Sequence, residues 1–218
     1  MAFPCLAIFL AFIVFLAIRY RSIDQAQKQV QEDFWERELK ANSTIGIDIN
    51  TLDYLHLPIE RFPFGKCSTP EIEAIESELR ELSEKPLLNL TGITNTELKL
   101  TYGVPNFDKM SAIGEDFDRA TILLNDYSKL LIENEMPSEA IPVLEYAVGV
   151  KTDISSSYTM LSDLYAAANS FEKLSRLRDM VENTTLILKP SILAHIDELL
   201  SQNTVEDVVT EEVLDDNT

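Results

Sequence analysis

The chain reads as an all-α protein, and three observations predict that class. The stretch from about Phe117 to Gln202 repeats itself with a period of 34 residues: Leu124 recurs as Tyr158 and Ile192, Ser128 as Ser162, and Leu131 as Tyr165 and Leu199. Within each period the large apolar residues recur at spacings of three and four, which puts them on one helical stripe. Turn-forming residues punctuate the stripes, as at Asn134-Glu-Met-Pro-Ser138, Gly149 and Asn169. The expected architecture is a pair of helix-turn-helix units, roughly 121–154 and 155–188, closed by a capping helix. Extra helices and a single N-terminal transmembrane helix precede them.

In the first unit, Phe117, Ala120, Leu123, Leu124, Tyr127, Leu130 and Leu131 form the stripe of one helix. Ala140, Ile141, Leu144, Ala147 and Val148 form that of the next. Gly149 suits a C-terminal stop, and Asp153 suits an N-cap for the following helix. That helix buries Tyr158, Leu161, Leu164 and Tyr165 and ends at Asn169. Ser170 suits the cap of its partner, which carries Phe171, Leu174, Leu177 and Val181. Such a unit cannot bury its apolar face alone. The last helix, opened by Pro190 and carrying Ile192, Leu193, Ile196, Leu199 and Leu200, reads as the cap that covers it. Two positions depart from the register: Leu174 takes the slot of Ala140, and Arg178 that of Leu144. Pro142 lies inside a helix, near its start, where a lost hydrogen bond costs least.

A period of 34 with a large apolar residue, an apolar-small pair, an aromatic, and a small residue nine places later resembles the tetratricopeptide repeat (TPR). The resemblance covers about 120–200, and with its anchor the chain is similar in outline to membrane-anchored TPR proteins of bacteria. Repeats of this kind present surface to a partner and carry no chemistry of their own. The resemblance thus implies a membrane-tethered protein–protein interaction module, an adaptor or scaffold with a protein partner, no cofactor and no enzymatic activity. It also implies that the first helix of each unit lines the concave groove, which nominates Asn125, Lys129, Thr159 and Asp163 as partner-binding residues. These do not reproduce the Lys/Asn set that clamps a peptide carboxylate in chaperone-binding TPR domains, so capture of a C-terminal peptide by that route is not implied. The alternative is an obligate structural subunit of a larger membrane assembly, because a pair of repeats makes only a shallow groove.

Residues 2–18 contain no charged side chain. As a helix they reach about 26 Å, enough to cross a hydrocarbon core. A cleaved signal peptide would want a basic start and a small-residue cleavage site. This segment has neither, ending Phe-Leu-Ala-Ile-Arg-Tyr-Arg, so an uncleaved anchor is the expectation. Arg19, Arg21 and Lys28 all follow it, which places the C-terminal bulk in the cytoplasm of a single-pass protein of the cell membrane. Residues 19–42 lack Gly and Pro and continue as a helical stalk, with Trp35 and Leu39 available to pack onto the folded domain. Residues 43–116 form an extended segment and accessory helices packed on the repeats. Thr69 and Pro70 open one such helix, whose stripe is Ile72, Ile75, Leu79 and Leu82. Thr94-x-x-Glu97 is a capping box for a short helix that stops near Gly103, and Asn106 caps another that ends at Gly114. The polar text around Asn89, Thr91, Thr94 and Asn95 is explained by turn chemistry; a partner-facing edge is its functional reading.

The net charge of −19 excludes nucleic acid as an expected partner, since phosphate neutralisation needs Lys and Arg. Residues 203–218 carry six carboxylates and no Lys or Arg, which reads as a disordered acidic tail. The 2 cysteines build no disulfide framework. Of the 2 histidines, His56 has no metal-ligand spacing to another Cys, His or carboxylate, and His195 falls on the last apolar stripe. No nucleophile elbow, phosphate loop or paired-carboxylate motif appears. Three Asn-x-Thr matches, at Asn42, Asn89 and Asn183, are expected by chance and would matter only in a lumenal domain.

Overall fold

The computed structural model describes the backbone of residues 3–215 and the side chains of residues 8–202 other than Ser22 and Ala26. Among the described residues every long element is a helix: α1 (Phe3–Asn42), α2 (Pro70–Ser83), α3 (Asn95–Tyr102), α4 (Phe107–Glu133), α5 (Pro137–Gly149), α6 (Ser155–Ala167), α7 (Phe171–Glu182) and α8 (Lys189–Asp215). A single isolated bridge joins Leu55 to Leu87. The helices gather into two compact units. One holds the chain up to Thr51 together with Ile93–Met110; the other holds Leu52–Gly92 and everything from Ser111 on.

In the first unit, α1 runs without a break from the apolar N-terminal stretch through the stalk, as a segment free of Gly and internal Pro permits. Its C-terminal end docks on α3: Ala41 is fully buried, Arg37 pairs with Glu97 at 3.1 Å, and Lys99 donates to Asn42 at 2.9 Å. The capping box at Thr94 forms in both directions. Gly103 ends α3 at φ +85°, and a Cβ there would lie 2.4 Å from the Ile45 carbonyl, so only glycine fits. Trp35 and Leu39 are exposed, on the helix face turned away from Ala41. Of the expected anchor 2–18, the side chains of 2–7 lie outside the described residues. Every side chain from Ile8 to Ile18 is exposed. Among the described residues, no helix is long and apolar enough to cross a membrane.

The second unit carries the core. Leu57 and Phe62 from the extended segment, Ile72, Leu79 and Leu82 from α2, and the stripes of α4–α8 share one apolar cluster. Thr69 accepts from the Ile72 N–H and Pro70 occupies the first turn, so α2 starts where the sequence puts it. Boundaries along the stack recur 34 residues apart: α4 ends at Glu133 and α6 at Ala167, α5 starts at Pro137 and α7 at Phe171, α6 starts at Ser155 and α8 at Lys189. The turn recurs too. Glu135 and Asn169 adopt φ of 60° and 49°, and the Met136 and Ser170 N–H groups reach back to the Leu131 and Tyr165 carbonyls. Leu124, Tyr158 and Ile192 are all buried, as are Ser128, Ser162 and Ile196.

Several local expectations are corrected. Gly114 does not end a helix, and α4 runs through it from Phe107; a Cβ there would lie 3.2 Å from the end of the Leu90 side chain, a close approach. α5 stops at Gly149 as expected, although the left-handed residue that follows is Lys151, at φ 60°. Asp153 and Ser170 make no capping bond. Ahead of α6 the buried Thr152 closes a turn, its hydroxyl accepting from the Ile154 N–H at 3.2 Å, and the helix itself starts without a side-chain cap. The backbone of α8 extends to Asp215, into the segment 203–218, where no Gly or Pro follows Pro190 to break the helix. Residues 216–218 lie outside the described residues. Leu174 is buried as completely as Ala140, so this slot tolerates a large residue. Arg178 turns its departure from the apolar register into a tie, with Nε 2.6 Å from Asp197 on α8 and Nη1 2.9 Å from Glu182.

Candidate functional site

The nominated first-helix residues are only partly free. Asn125 on α4 is half-buried, and its Oδ1 accepts from the hydroxyls of Ser156 (2.8 Å) and Ser157 (3.1 Å) on α6. Asp163 on α6 sits 2.7 Å from His195 Nε2 on α8. His195, expected as a packed residue, is half-buried and serves as the polar end of this tie. Thr159 donates to the Ser156 carbonyl of its own helix at 3.2 Å. Lys129 is exposed, its Nζ 3.9 Å from Glu133. Asn125 and Asp163 therefore brace successive first helices against one another, while Lys129 remains open to solvent.

A second feature was not identified from the sequence. A groove of about 910 Å³ opens between the 89–92 loop, the α5–α6 connection and the α7–α8 connection. Val148 and Tyr158 are buried beneath it and Leu186 is half-buried. Met180, Leu188 and Ile187 border it with exposures of 45%, 54% and 94%. Asn89 fixes one wall, its Nδ2 donating to the carbonyls of Val150 (2.9 Å) and Lys151 (3.0 Å). The Tyr158 hydroxyl donates to the Thr152 carbonyl at 2.8 Å, and burial, helped by Asp153, pushes its pKa up to about 12, so the phenol stays neutral. Asp118 on α4 is raised above the usual carboxylate value by burial and by Asp153 and Glu115. The signals available in the sequence were the polar Asn89–Thr91 text and the apolar pair Ile187-Leu188 placed between two stripes instead of on one. Only the fold shows that these loops meet.

No protein-family model, curated protein or solved structure matches the chain.

A buried polar hub holds the extended segment. Glu76, on the stripe of α2, is buried, and its two oxygens accept from the Gly65 N–H at 2.9 and 3.0 Å. They also accept from the Tyr127 hydroxyl at 3.0 Å and Arg80 at 3.2 Å. The Arg80 guanidinium lies 4.7 Å from the Phe64 ring centre, and Tyr127 meets the same ring edge-on at 5.5 Å. Burial, then the Glu76 charge, raises the Tyr127 pKa far above that of a free phenol. All the partners of Glu76 come from within the fold, so the hub is a structural clasp.

Proposed function

We propose that the chain is a membrane-tethered protein–protein interaction module, built on TPR-like repeats and held to the cell membrane through residues 2–18 with its folded part in the cytoplasm. The observation that carries the reading is the recurrence at 34 residues, which reaches beyond side-chain type to the turn itself: Glu135 and Asn169 are left-handed at equivalent places and the same backbone bonds follow each. Stacked repeats of this kind present extended surfaces to partners. The anchor is supported by the uncharged stretch 2–18 and by the exposure of every side chain from Ile8 to Ile18, apolar surface that water does not favour. The test is photo-cross-linking in the native membrane from position 129, beside the same probe at the exposed Glu172. A discrete partner captured from 129 and not from 172 supports the module; identical patterns from both sites would remove it.

The alternative, an obligate subunit of a larger membrane assembly, draws support from Asn125 and Asp163 being consumed by internal bonds, which leaves fewer polar groups to recognise a transient partner. Purification separates the two. An adaptor stays monodisperse alone, whereas an obligate subunit aggregates through its uncovered apolar surface.

A further inference from the structure

We infer that the stalk of α1 is one half of a parallel dimer, in which two copies of this chain pack Tyr20, Ile23, Val30 and Phe34 against the same residues of one another. The parallel direction rests on reading residues 2–18 as a membrane tether. The inference adds a second copy of the chain as a partner of the stalk.

The spacing of the stripe says what kind of surface covers it. Tyr20, Ile23, Gln27, Val30 and Phe34 follow one another at intervals of three, four, three and four. The same alternation runs back through Leu16, Ile13 and Phe9. That is a seven-residue repeat, with Tyr20, Gln27 and Phe34 at a and Ile23 and Val30 at d. A strict heptad drifts by about 20° per repeat around a straight helix, so it suits a second helix wound about the first and not a flat surface. Among lipid tails the seam gains nothing from leaving water. Past Arg19 it does, and there Tyr20, Ile23, Val30 and Phe34 are exposed at 75%, 52%, 69% and 53%.

The charges choose a second copy over lipid. From Ser22 to Glu36 the stalk carries Asp24, Glu32, Asp33 and Glu36 against Lys28 alone, which an anionic membrane surface repels. In a parallel pair each g residue faces the next e residue of the other helix, and this sets Arg19 of one copy against Asp24 of the other. Asp24 lies 2.8 Å from Lys28 on its own helix, an exposed pair that holds it weakly. Gln27 stands at the one polar a position of the stretch. It meets its own copy only when the helices are parallel and in register, and an amide pair then satisfies itself. Anchors at one depth in a membrane supply that alignment before contact, so less orientational freedom is lost on pairing. The next facing pair, Asp33 and Glu38, has like charges, and there the seam stops. Glu38 accepts from the Thr96 hydroxyl, Arg37 pairs with Glu97 at 3.1 Å, and Ala41 is buried where α1 docks on α3. The stripe thus passes from the other copy to the chain's own α3.

The test is disulfide cross-linking of the full-length chain in its native membrane, with Cys5→Ser and Cys67→Ser as background and two differently tagged copies made together. Gln27→Cys and Val30→Cys lie on the seam; Gln25→Cys and Gln29→Cys lie off it. All four positions are exposed. Copper-phenanthroline should join the two tagged copies from 27 and 30, and not from 25 and 29. Adding Asp24→Arg to Val30→Cys sets like charges against Arg19 and should cut the yield severalfold. Glu36→Arg, the same change of charge off the seam, should leave it. An unchanged yield on Asp24→Arg overturns the parallel register. No dimer from 27 and 30, equal yields from all four positions, or a product joined to a different protein overturns the dimer. Where the chain also stays with the membrane through an alkaline carbonate wash, the tether stands. A chain that the wash releases and that gives no dimer overturns both, and a released chain that still cross-links at the seam overturns the tether alone.

Discussion

Glu76 is a carboxylate on an apolar helical stripe, and its environment explains how it is tolerated there. An ionised group out of water is costly unless it is paired and hydrogen-bonded. Here the Gly65 N–H, the Tyr127 hydroxyl and Arg80 answer it together. Tyr127→Phe removes one donor and little volume. It should destabilise the fold by about 1–3 kcal/mol, read from urea midpoints against Tyr102→Phe; equal midpoints would show that the hydroxyl contributes nothing. A second residue-scale prediction concerns pH. The Glu78 carboxylate receives both Nε and Nη2 of Arg119, at 2.6 and 2.7 Å, and its pKa is held below the ordinary 4.5, chiefly by that hydrogen bonding. Because the folded pKa is the lower one, the stabilisation is complete above 4.5 and is lost as pH falls through the folded value. The pair is half exposed, so the effect is modest. Glu78→Gln should flatten the acid limb of a stability-against-pH curve below 4.5 without changing its alkaline limb. An unchanged acid limb would assign that loss to other carboxylates.

At the scale of the element, the helices of the stack follow from the apolar period. Leu131 and Tyr165 stand one period apart, and both are buried. Truncating either to Ala should cost about 2–5 kcal/mol, whereas the exposed Ala168→Ser should change the midpoint little. Midpoints like wild type for both truncations would break the register. The last helix tests whether the stack needs a lid. Ile192 and Ile196 are buried on α8, which packs on α6 and α7. Removing residues 190–218 should lower the melting temperature and raise light scattering, while removing only 204–218 takes away no side chain of that buried stripe. Equal stability of the two truncations would show that α8 is not a cap. Helix existence was legible because long stripes at spacings of three and four have one reading. Helix ends were less so. Asp153 and Ser170 have the chemistry of caps, yet α6 and α7 start without a side-chain cap bond, and the sequence does not show which oxygen will face the first N–H groups. Gly114 carried two meanings, stop and close approach, and only the neighbouring Leu90 decides between them. Of the candidate sites, the first-helix residues were placed by period, but that Asn125 and Asp163 would be occupied depends on Ser156, Ser157 and His195, which are far from them in sequence. The groove was hidden for the same reason, since its walls come from three separate loops.

For the whole molecule the strongest asymmetry lies along the chain. The first 18 residues hold no charged side chain, while the chain as a whole carries −19. Arg19, Arg21 and Lys28 follow directly on the apolar stretch, so the positive charges flank it on one side. A Lys or Arg beside an apolar span is retained on the cytoplasmic side, and acidic residues farther along weigh little in that choice. The many carboxylates of the folded part therefore do not argue for export. Two measurements on the full-length chain follow. It should stay with the membrane fraction through an alkaline carbonate wash, whereas a chain beginning at residue 43 should be released. Protease added to intact spheroplasts should leave the folded part uncut, and should digest it once the membrane is opened by detergent. Digestion before detergent would place the folded part outside. A mature N-terminus near Arg19 would make the apolar stretch a removed signal, and would turn the Asn42, Asn89 and Asn183 sequons from chance matches into sites worth examining. Release of the intact full-length chain by carbonate would leave the apolar side chains from Ile8 to Ile18 to be covered by protein instead of lipid, which is the outcome the obligate-subunit reading requires.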